Sequence, residues 1–359
     1  RWGRSRWLRG RALTKAGDQT DDPIDTDELW NPPAEKLKST PREKLRVLSE
    51  ILGCSEAEAS LKILERTLAA MPNNPLKSYL LPTLSIKRCE RIGEELVQIE
   101  LDNGRTFTGH RSNQKEFMLH QVLSHHLPDY IDGDAYKLAL DIEKRYYHSH
   151  LPWYFPDRGM YVEGGCFTGL RAIAWHDLAL QPKRILAVEI GGANAEILRR
   201  NISDNGLDGK IVPVHAGLWR ESGEGVQKHA FSTRRFLETT DDWKGHMRHE
   251  ERVRLLTIDD LLDENDVDVA DFVNLQVNGA EIEVLKGIRN MDRIKVLSIA
   301  AYFSQDGVEN AEIVEKMLTE AGCTVLQRTS IGRITVVTPK YRDEVLSWKR
   351  RRLRRRTKT

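Results

Sequence analysis

Cysteine is scarce in this chain of 359 residues, and its four cysteines lie far apart: Cys54, Cys89, Cys166 and Cys323. None of them forms a Cys-x-x-Cys pair, the spacing typical of structural zinc sites and redox motifs. Four scattered cysteines are also too few for a dense disulfide framework. The sequence therefore predicts no metal site, and its cysteine usage is typical of a reducing cytoplasm.

Long apolar segments are missing as well. No run of apolar residues approaches the roughly 18 that a membrane-spanning helix needs. The N-terminal arginines are not followed by an apolar segment, so we do not interpret this end as a signal peptide. The expected location is the cytoplasm.

The chain has almost no net charge, because the formal sum is +1. Its composition therefore does not favour a polyanionic partner. Positive charge is instead concentrated in two terminal runs, Arg1–Arg11 and Lys349–Lys358. Such runs predict weak peripheral association with anionic membranes, at about 1 kcal/mol per basic side chain. No motif beside them indicates a specific nucleic-acid partner, and we interpret them as solvated tails.

The length predicts more than one structural unit, and the patterning of the sequence suggests four regions. Residues 1–41 are polar and rich in proline, as expected of a tail and linker. Residues 42–150 predict an N-terminal α+β region with a hairpin through Asp102-Asn103-Gly104. The predicted helices of that region are Pro41–Met71, Phe117–His126 and Tyr136–Tyr147. A regular domain follows at 151–340, and 341–359 form a basic C-terminal tail.

Strands and helices alternate from Gly159 to Pro339, which indicates a mostly parallel sheet with helices on both faces. The predicted strands are Met160–Glu163, Ile185–Glu189, Ile211–His215, Asp271–Val277, Val296–Tyr302, Thr324–Gln327 and Arg333–Val337. The predicted helices are Leu170–Leu180, Ala193–Asn205, Ala280–Asn290 and Val308–Ala321. The fold class is α/β, with a seven-stranded Rossmann-like sheet whose ligand binds beyond the carboxyl ends of the strands.

Two acidic strand ends and a glycine-rich turn indicate a nucleoside cofactor. The first strand ends in Glu163, and Gly165 and Gly169 follow in the turn. This spacing is wider than that of a dinucleotide site and suits the methionine part of S-adenosylmethionine better. Glu189 ends the second strand, where a carboxylate can accept hydrogen bonds from both ribose hydroxyls. A glycine turn chosen for packing and a solvated acid at a strand edge are the simpler alternatives.

At these residues the sequence resembles the FkbM-type S-adenosylmethionine-dependent methyltransferases. The blocks that carry the resemblance lie between Tyr161 and about Thr338; they are Val162–Gly169, Ala187–Glu189, Asn201, Asn205–Leu207, Thr257–Leu262, Asp271–Gly287 and Leu297–Tyr302. The resemblance implies a class I methyltransferase fold and methyl transfer, usually to a hydroxyl oxygen of a sugar, a polyketide or another small metabolite. It places Glu163, Gly165, Gly169 and Glu189 at the cofactor. With their neighbours, the residues expected to bind the cofactor are Glu163, Gly165, Cys166, Phe167, Gly169, Glu189, Ile190 and His215.

The sequence departs from the family pattern where catalysis is expected. Gln276 and Asn278 replace two acids of the usual Asp-x-Glu-Gly block, and Phe303 and Phe167 replace a histidine and an asparagine. The catalytic candidates are therefore Gln276, Asn278 and Glu281. A structural alternative is a capping box, in which Asn278 is the N-cap of a helix and Glu281 satisfies its first N–H groups.

Three functions remain open from the sequence. The first is O-methylation of a small-molecule or saccharide hydroxyl with S-adenosylmethionine. The second is a binding or regulatory module without turnover, which the neutral Gln276 and Asn278 favour. The third is a nucleic-acid methyltransferase guided by the basic tails. The oligomeric state is not predicted by any of these patterns.

Overall fold

The computed structural model describes residues 85–112, 134–147, 149, 151–156, 158–179, 182–230, 235–237, 247–305, 308–330 and 332–348. All of them belong to one compact unit, Thr67–Thr359. The predicted helices Pro41–Met71 and Phe117–His126, the linker 1–41 and both basic terminal runs lie outside the described residues.

Sixteen strands and six α-helices are named here in chain order. The strands are β1 (Ile86–Ile92), β2 (Leu96–Leu101), β3 (Thr106–His110), β4 (Met160–Gly164), β5 (Arg184–Glu189), β6 (Ile211–His215), β7 (Gly217–Leu218), β8 (Gly223–Ala230), β9 (Arg235–Leu237), β10 (Met247–Leu256), β11 (Ala270–Leu275), β12 (Ile294–Ala300), β13 (Ser304–Gln305), β14 (Val308–Glu309), β15 (Thr324–Arg328) and β16 (Arg333–Val337). The helices are α1 (Tyr136–Ile142), α2 (Leu170–Leu178), α3 (Gly192–Asp204), α4 (Ile258–Glu264), α5 (Glu281–Lys286) and α6 (Asn310–Glu320).

A seven-stranded sheet in the order β15-β16-β12-β11-β4-β5-β6 forms the centre of the fold. Neighbouring strands run parallel except at β16, which is antiparallel to both β12 and β15. The chain moves outward from β4 to β6 on one side and from β11 to β12 on the other, so the strand order reverses between β4 and β11. This is the class I methyltransferase sheet that the sequence predicts, and the reversal is where such sheets bind ligands.

Alternate residues of the central strands are buried on opposite faces of the sheet. Tyr161, Ile185 and Ala187 belong to one apolar core, while Val162, Leu186 and Val188 belong to the other. A strand that is buried on both faces has a nearly continuous run of apolar residues. For this reason these strands could be recognised in the sequence. The predicted bounds of the seven strands differ from the observed ones by at most two residues.

The N-terminal hairpin predicted around Asp102-Asn103-Gly104 is present and gains a third strand, β1, which the sequence did not reveal. The edge strand β3 lies against α3 through paired amides. The Asn201 side chain accepts from the Thr108 N–H at 2.6 Å and donates to the Thr108 carbonyl at 3.1 Å. Asn205 accepts from the Thr106 N–H at 3.0 Å and donates to the Thr106 carbonyl at 2.6 Å. These contacts join the two parts on either side of the predicted boundary at 150.

A four-stranded sheet in the order β7-β10-β8-β9 was not predicted. Its longer strands, Gly223–Ala230 and Met247–Leu256, are rich in charged and polar residues and lack a clear alternation. The packed chain also continues past the predicted end of the domain at 340. Residues 342–348 are helical and Val345 is fully buried, while Trp348 packs against the same core.

Candidate functional site

A pocket of about 410 Å³ lies at the carboxyl ends of β4, β5 and β11. Its lining combines predicted site residues with others that the sequence analysis missed: Lys137, Asp141, Arg145, Gly165, Phe167, Val188, Glu189, Ile190, Asn194, Ala216, Gly217, Leu218, Gln227, Gln276, Val277, Asn278 and Ala280. The volume falls within the range of roughly 300–1,000 Å³ that is usual for small-molecule sites. The pocket occupies the point where the strand order reverses.

The turn between β4 and α2 contains three left-handed residues. Gly165, Phe167 and Gly169 have φ angles of 76°, 57° and 83°. A Cβ at Gly165 would come within 2.1 Å of the Gln276 carbonyl oxygen, and one at Gly169 within 2.4 Å of Leu198 Cδ1. The two glycines therefore allow the turn to pack closely against the end of β11 and against α3.

Glu189 holds this turn in place. It is 5% exposed, and its carboxylate accepts hydrogen bonds from the Phe167 N–H at 3.0 Å and the Gly191 N–H at 3.0 Å. The Asn194 side-chain amide donates to it at 3.2 Å. Three donors from both sides of the pocket fix the position of this carboxylate, so it can present an acceptor to a bound ligand without reorganising.

Beneath the turn the buried Glu163 lies next to the partly exposed Arg171. Glu163 is 1% exposed, and its Oε1 lies 3.6 Å from an Arg171 guanidinium nitrogen. Burial raises the pKa of Glu163 to about 7, although the positive charge of Arg171 opposes the shift. Arg171 also donates to Gln276 Oε1 at 3.1 Å. Glu163 does not line the pocket, but through Arg171 it is connected to Gln276, which does.

The capping box predicted for Asn278 and Glu281 is wrong. Helix α5 begins at Glu281 with Ala280 as its N-cap, and Asn278 lies outside it in a left-handed conformation with φ of 51°. The Glu281 carboxylate instead accepts from the Gly279 N–H at 2.9 and 3.1 Å. The asparagine is favoured at Asn278 because its short polar side chain tolerates the left-handed region. Glu281 is fully buried, and burial raises its pKa.

The pocket brings together some predicted residues and leaves others outside. Its lining contains Gly165, Phe167, Glu189, Ile190, Gln276 and Asn278. The predicted site residues that are not part of the lining are Glu163, Cys166, Gly169, His215 and Glu281. Cys166 is buried, and burial raises the pKa of its thiol, so it is not an activated nucleophile.

His215 lies at the end of β6, next to the pocket. Its Nε2 is 3.2 Å from the Ile190 carbonyl oxygen and 3.8 Å from Glu251 Oε1. Glu251 also accepts from the Gly192 N–H at 3.1 Å, where α3 begins. His215 and Glu251 therefore join the four-stranded sheet to the ends of β5 and β6.

One wall of the pocket comes from the N-terminal region. Lys137 and Asp141 lie in α1, and Arg145 lies in the π-helical segment Glu143–Tyr147 that continues it. Asp141 accepts from Arg145 at 3.2 Å. The three residues are four positions apart, which in a sequence is also the pattern of an ordinary solvated helix face. For this reason the pattern alone does not place them in a site.

The described part of the chain contains no group of three or more histidine, cysteine, aspartate or glutamate side chains placed to hold a metal ion. None of its helices is long and apolar enough to cross a membrane.

Comparison with known proteins finds one family model that matches the central part of the chain. The family model of the methyltransferase FkbM domain matches residues 171–324, somewhat less than half of the sequence. The resemblance to FkbM-type methyltransferases is thereby confirmed over that stretch. No curated protein matches the sequence.

Similar solved structures are distant. An FkbM methyltransferase from Methylobacillus flagellatus KT is 16% identical, with a TM-score of 0.36 over 62% of this chain and 59% of that one. Fibrillarin from Aeropyrum pernix, solved with natively bound S-adenosyl-L-methionine, is 13% identical, with a TM-score of 0.33 over 71% of this chain and 99% of that one. TrmK from M. capricolum, solved with S-adenosyl-homocysteine, is 11% identical, with a TM-score of 0.31 over 51% of this chain and 64% of that one. The chain thus spans under two thirds of the length of the FkbM enzyme.

Proposed function

We propose, because residues 171–324 match the family model of the methyltransferase FkbM domain, that the pocket binds S-adenosylmethionine. We further propose that the protein methylates a hydroxyl oxygen of a small-molecule or saccharide acceptor. The observation that carries the proposal is Glu189, a carboxylate fixed by the glycine turn at the wall of the pocket. A carboxylate in this position can accept hydrogen bonds from the two hydroxyl groups of a ribose.

The other walls of the pocket suit the remaining parts of that cofactor. Ile190, Ala216 and Leu218 supply apolar surface beside Glu189, as a nucleoside base requires. Gly165 and Phe167 place the backbone of the turn near β11, where the methionine part would lie. Lys137 and Asp141 of α1 also line the pocket, and we assign this wall to the acceptor.

The bound cofactor supplies a methyl group on a sulfonium, which is intrinsically reactive toward an oxygen nucleophile. The main task of the protein is then to align the acceptor oxygen, and alignment of this kind contributes roughly 7–11 kcal/mol. Gln276 is held by Arg171 at the end of β11 and presents an amide to the pocket. We assign it to positioning of the acceptor, since a neutral amide both donates and accepts hydrogen bonds.

A non-catalytic cofactor-binding module is the second candidate, and Gln276 and Asn278 favour it, because the family usually has acids there. The two candidates differ in turnover. The purified chain would be incubated with methyl-labelled S-adenosylmethionine and with sugar, lipid and RNA fractions. Label in a sugar or other small-molecule fraction is the expected result. Tight cofactor binding without transfer to any fraction would support the silent module, and label in RNA would support a nucleic-acid methyltransferase.

Localisation and tail function stay predictions. The basic runs Arg1–Arg11 and Lys349–Lys358 lie outside the described residues. Their proposed weak association with anionic membranes depends on charge alone, so it should weaken as salt is raised.

A further inference from the structure

Gln227 is a buried amide at the pocket wall for which the described residues offer no partner. It lies in β8, is 0% exposed and lines the pocket. Neither its amide nitrogen nor its amide oxygen has a hydrogen-bond partner within the described part of the chain. Buried polar atoms are paired in the great majority of native structures, and leaving both ends of an amide unpaired costs free energy. An unpaired amide at the wall of a pocket indicates that the partner is a ligand.

The position of Gln227 shows which part of the ligand it faces. It is directly opposite Glu251 in the antiparallel pair of β8 and β10, so the two side chains share one face of the sheet. The Glu251 carboxylate lies 3.1 Å from the Gly192 nitrogen and 3.8 Å from His215 Nε2. This face of the sheet therefore lies next to the ends of β5 and β6. Glu189 and Ile190 line the pocket there, at the end proposed to bind the nucleoside.

The chemistry of a primary amide matches the edge of one nucleobase. Adenine presents an exocyclic amino donor beside a ring-nitrogen acceptor, and a glutamine side chain can pair with both at once. We propose that Gln227 hydrogen-bonds the base edge of the bound cofactor, its oxygen accepting from the exocyclic amino group and its nitrogen donating to the adjacent ring nitrogen. This inference rests on the proposed function, because it assigns one end of the same cofactor site.

A second residue provides a matched control. Asn310 at the start of α6 is also 0% exposed, and neither atom of its amide has a partner among the described residues. Asn310 does not line the pocket. If an unpaired buried amide were merely a property of the packing, substitutions at Gln227 and Asn310 would affect ligand binding alike.

The experiment compares two ligands by calorimetry: S-adenosylhomocysteine and its purine analogue, which lacks the exocyclic amino group. Wild type is expected to bind S-adenosylhomocysteine about ten-fold more tightly than the analogue, as the loss of one buried hydrogen bond implies. The near-isosteric substitution Gln227→Met should weaken binding of S-adenosylhomocysteine by about ten-fold or more. The variant should then bind the two ligands with equal affinity. Asn310→Leu should keep the wild-type affinity and the wild-type ratio.

A wild-type ratio retained in Gln227→Met would overturn the assignment while leaving the cofactor site intact. Failure of wild type to bind S-adenosylhomocysteine at all would refute the proposed function, and this inference with it. Gln227→Glu is the second variant, to be used if Gln227→Met does not fold. Its carboxylate can accept from the amino group but cannot donate to the ring nitrogen, so affinity for both ligands should fall while their ratio persists. Undiminished affinity in that variant would also overturn the assignment.

Discussion

Arg145 lies over the aromatic ring of Phe167, with 5.0 Å between the guanidinium carbon and the ring centroid. The arginine belongs to the N-terminal region and the phenylalanine to the glycine turn, so the contact joins both parts at the pocket. Phe167 has a φ of 57°, a conformation that bulky side chains rarely adopt. The contact helps to keep the turn in that conformation.

This pair should show measurable coupling. Arg145→Gln and Phe167→Leu each remove one partner, and an exposed or half-buried cation–π contact contributes about 0.5–1 kcal/mol. A double-mutant cycle of free energies of unfolding, from denaturant titrations, should return a coupling of that size. Strictly additive effects would mean that the ring and the guanidinium do not interact in solution.

Glu189 is expected to govern cofactor affinity. Glu189→Gln keeps the size of the side chain but places an amide nitrogen among three N–H donors, so the turn and the ribose both lose an acceptor. Affinity for S-adenosylhomocysteine, measured by calorimetry, should fall about ten-fold or more, as the loss of charge-assisted bonds implies. Glu196→Gln, at an exposed position of α3, is the control and should bind as wild type does. An unchanged affinity in Glu189→Gln would place the ribose elsewhere.

Glu163 should give the protein a pH-dependent stability. Burial raises its pKa to about 7 from the 4.5 of a solvated glutamate, so between these values the folded state binds more protons at this position than the unfolded state does. The contribution of Glu163 to the free energy of unfolding is therefore complete below about pH 4.5 and is lost as the pH rises through about 7. As the pH is raised from 4.5 to 8, the free energy of unfolding of Glu163→Gln should therefore increase by roughly 3 kcal/mol relative to that of wild type. Chemical unfolding at several pH values measures this, and parallel profiles for the two proteins would contradict it.

Asn201 is expected to be important for stability rather than for binding. It is fully buried and joins Thr108 to α3, and it also donates to the Thr168 carbonyl at 2.9 Å. Asn201→Ala leaves several buried backbone groups unpaired, which should cost about 2–4 kcal/mol of unfolding free energy. Ser203→Ala, at an exposed position two residues further along, should cost less than about 0.5 kcal/mol. Equal effects of the two changes in denaturant titrations would exclude this role for Asn201.

The C-terminal boundary can be tested with two changes. Deleting residues 349–359 removes only chain beyond the described helix and should leave thermal stability unchanged. Trp348→Ala removes a side chain that packs against the core and should cost about 1–2 kcal/mol. The deletion should also weaken any binding to anionic vesicles, because it removes one of the two basic runs. Binding that the deletion leaves unchanged would show that another surface carries it.

The sequence predicted the central sheet well because its strands are buried on both faces and are separated by amphipathic helices. The same reasoning missed β8 and β10, whose residues are polar and whose pairing spans a long intervening segment. It also assigned the N-cap of α5 to the wrong residue, because an asparagine followed by a glutamate three residues later is a cap only if the backbone enters a helix there. Asn278 takes a left-handed conformation instead, which no pattern in one sequence reveals.

Some residues of the candidate site could be predicted from a local pattern in the sequence, and others could not. Glu189 follows a recognisable strand, so its place at the pocket could be expected from the end of that strand. Gln227 and Arg145 reach the pocket through tertiary contacts between distant segments. A glutamine in a polar strand carries no local signal of burial, and an arginine on a charged helix face resembles many solvated ones.

The paired amides of Asn201 and Asn205 also affect how this molecule behaves among its own copies. β3 is an edge strand, and an edge with free N–H and carbonyl groups is a template for strand addition and aggregation. Here the outward groups of Thr106 and Thr108 are already bonded to the side chains of Asn201 in α3 and of Asn205 at its C-cap. The helix thus closes the edge of the N-terminal sheet as a neighbouring strand would, and it leaves no open ladder at these residues for another chain to join.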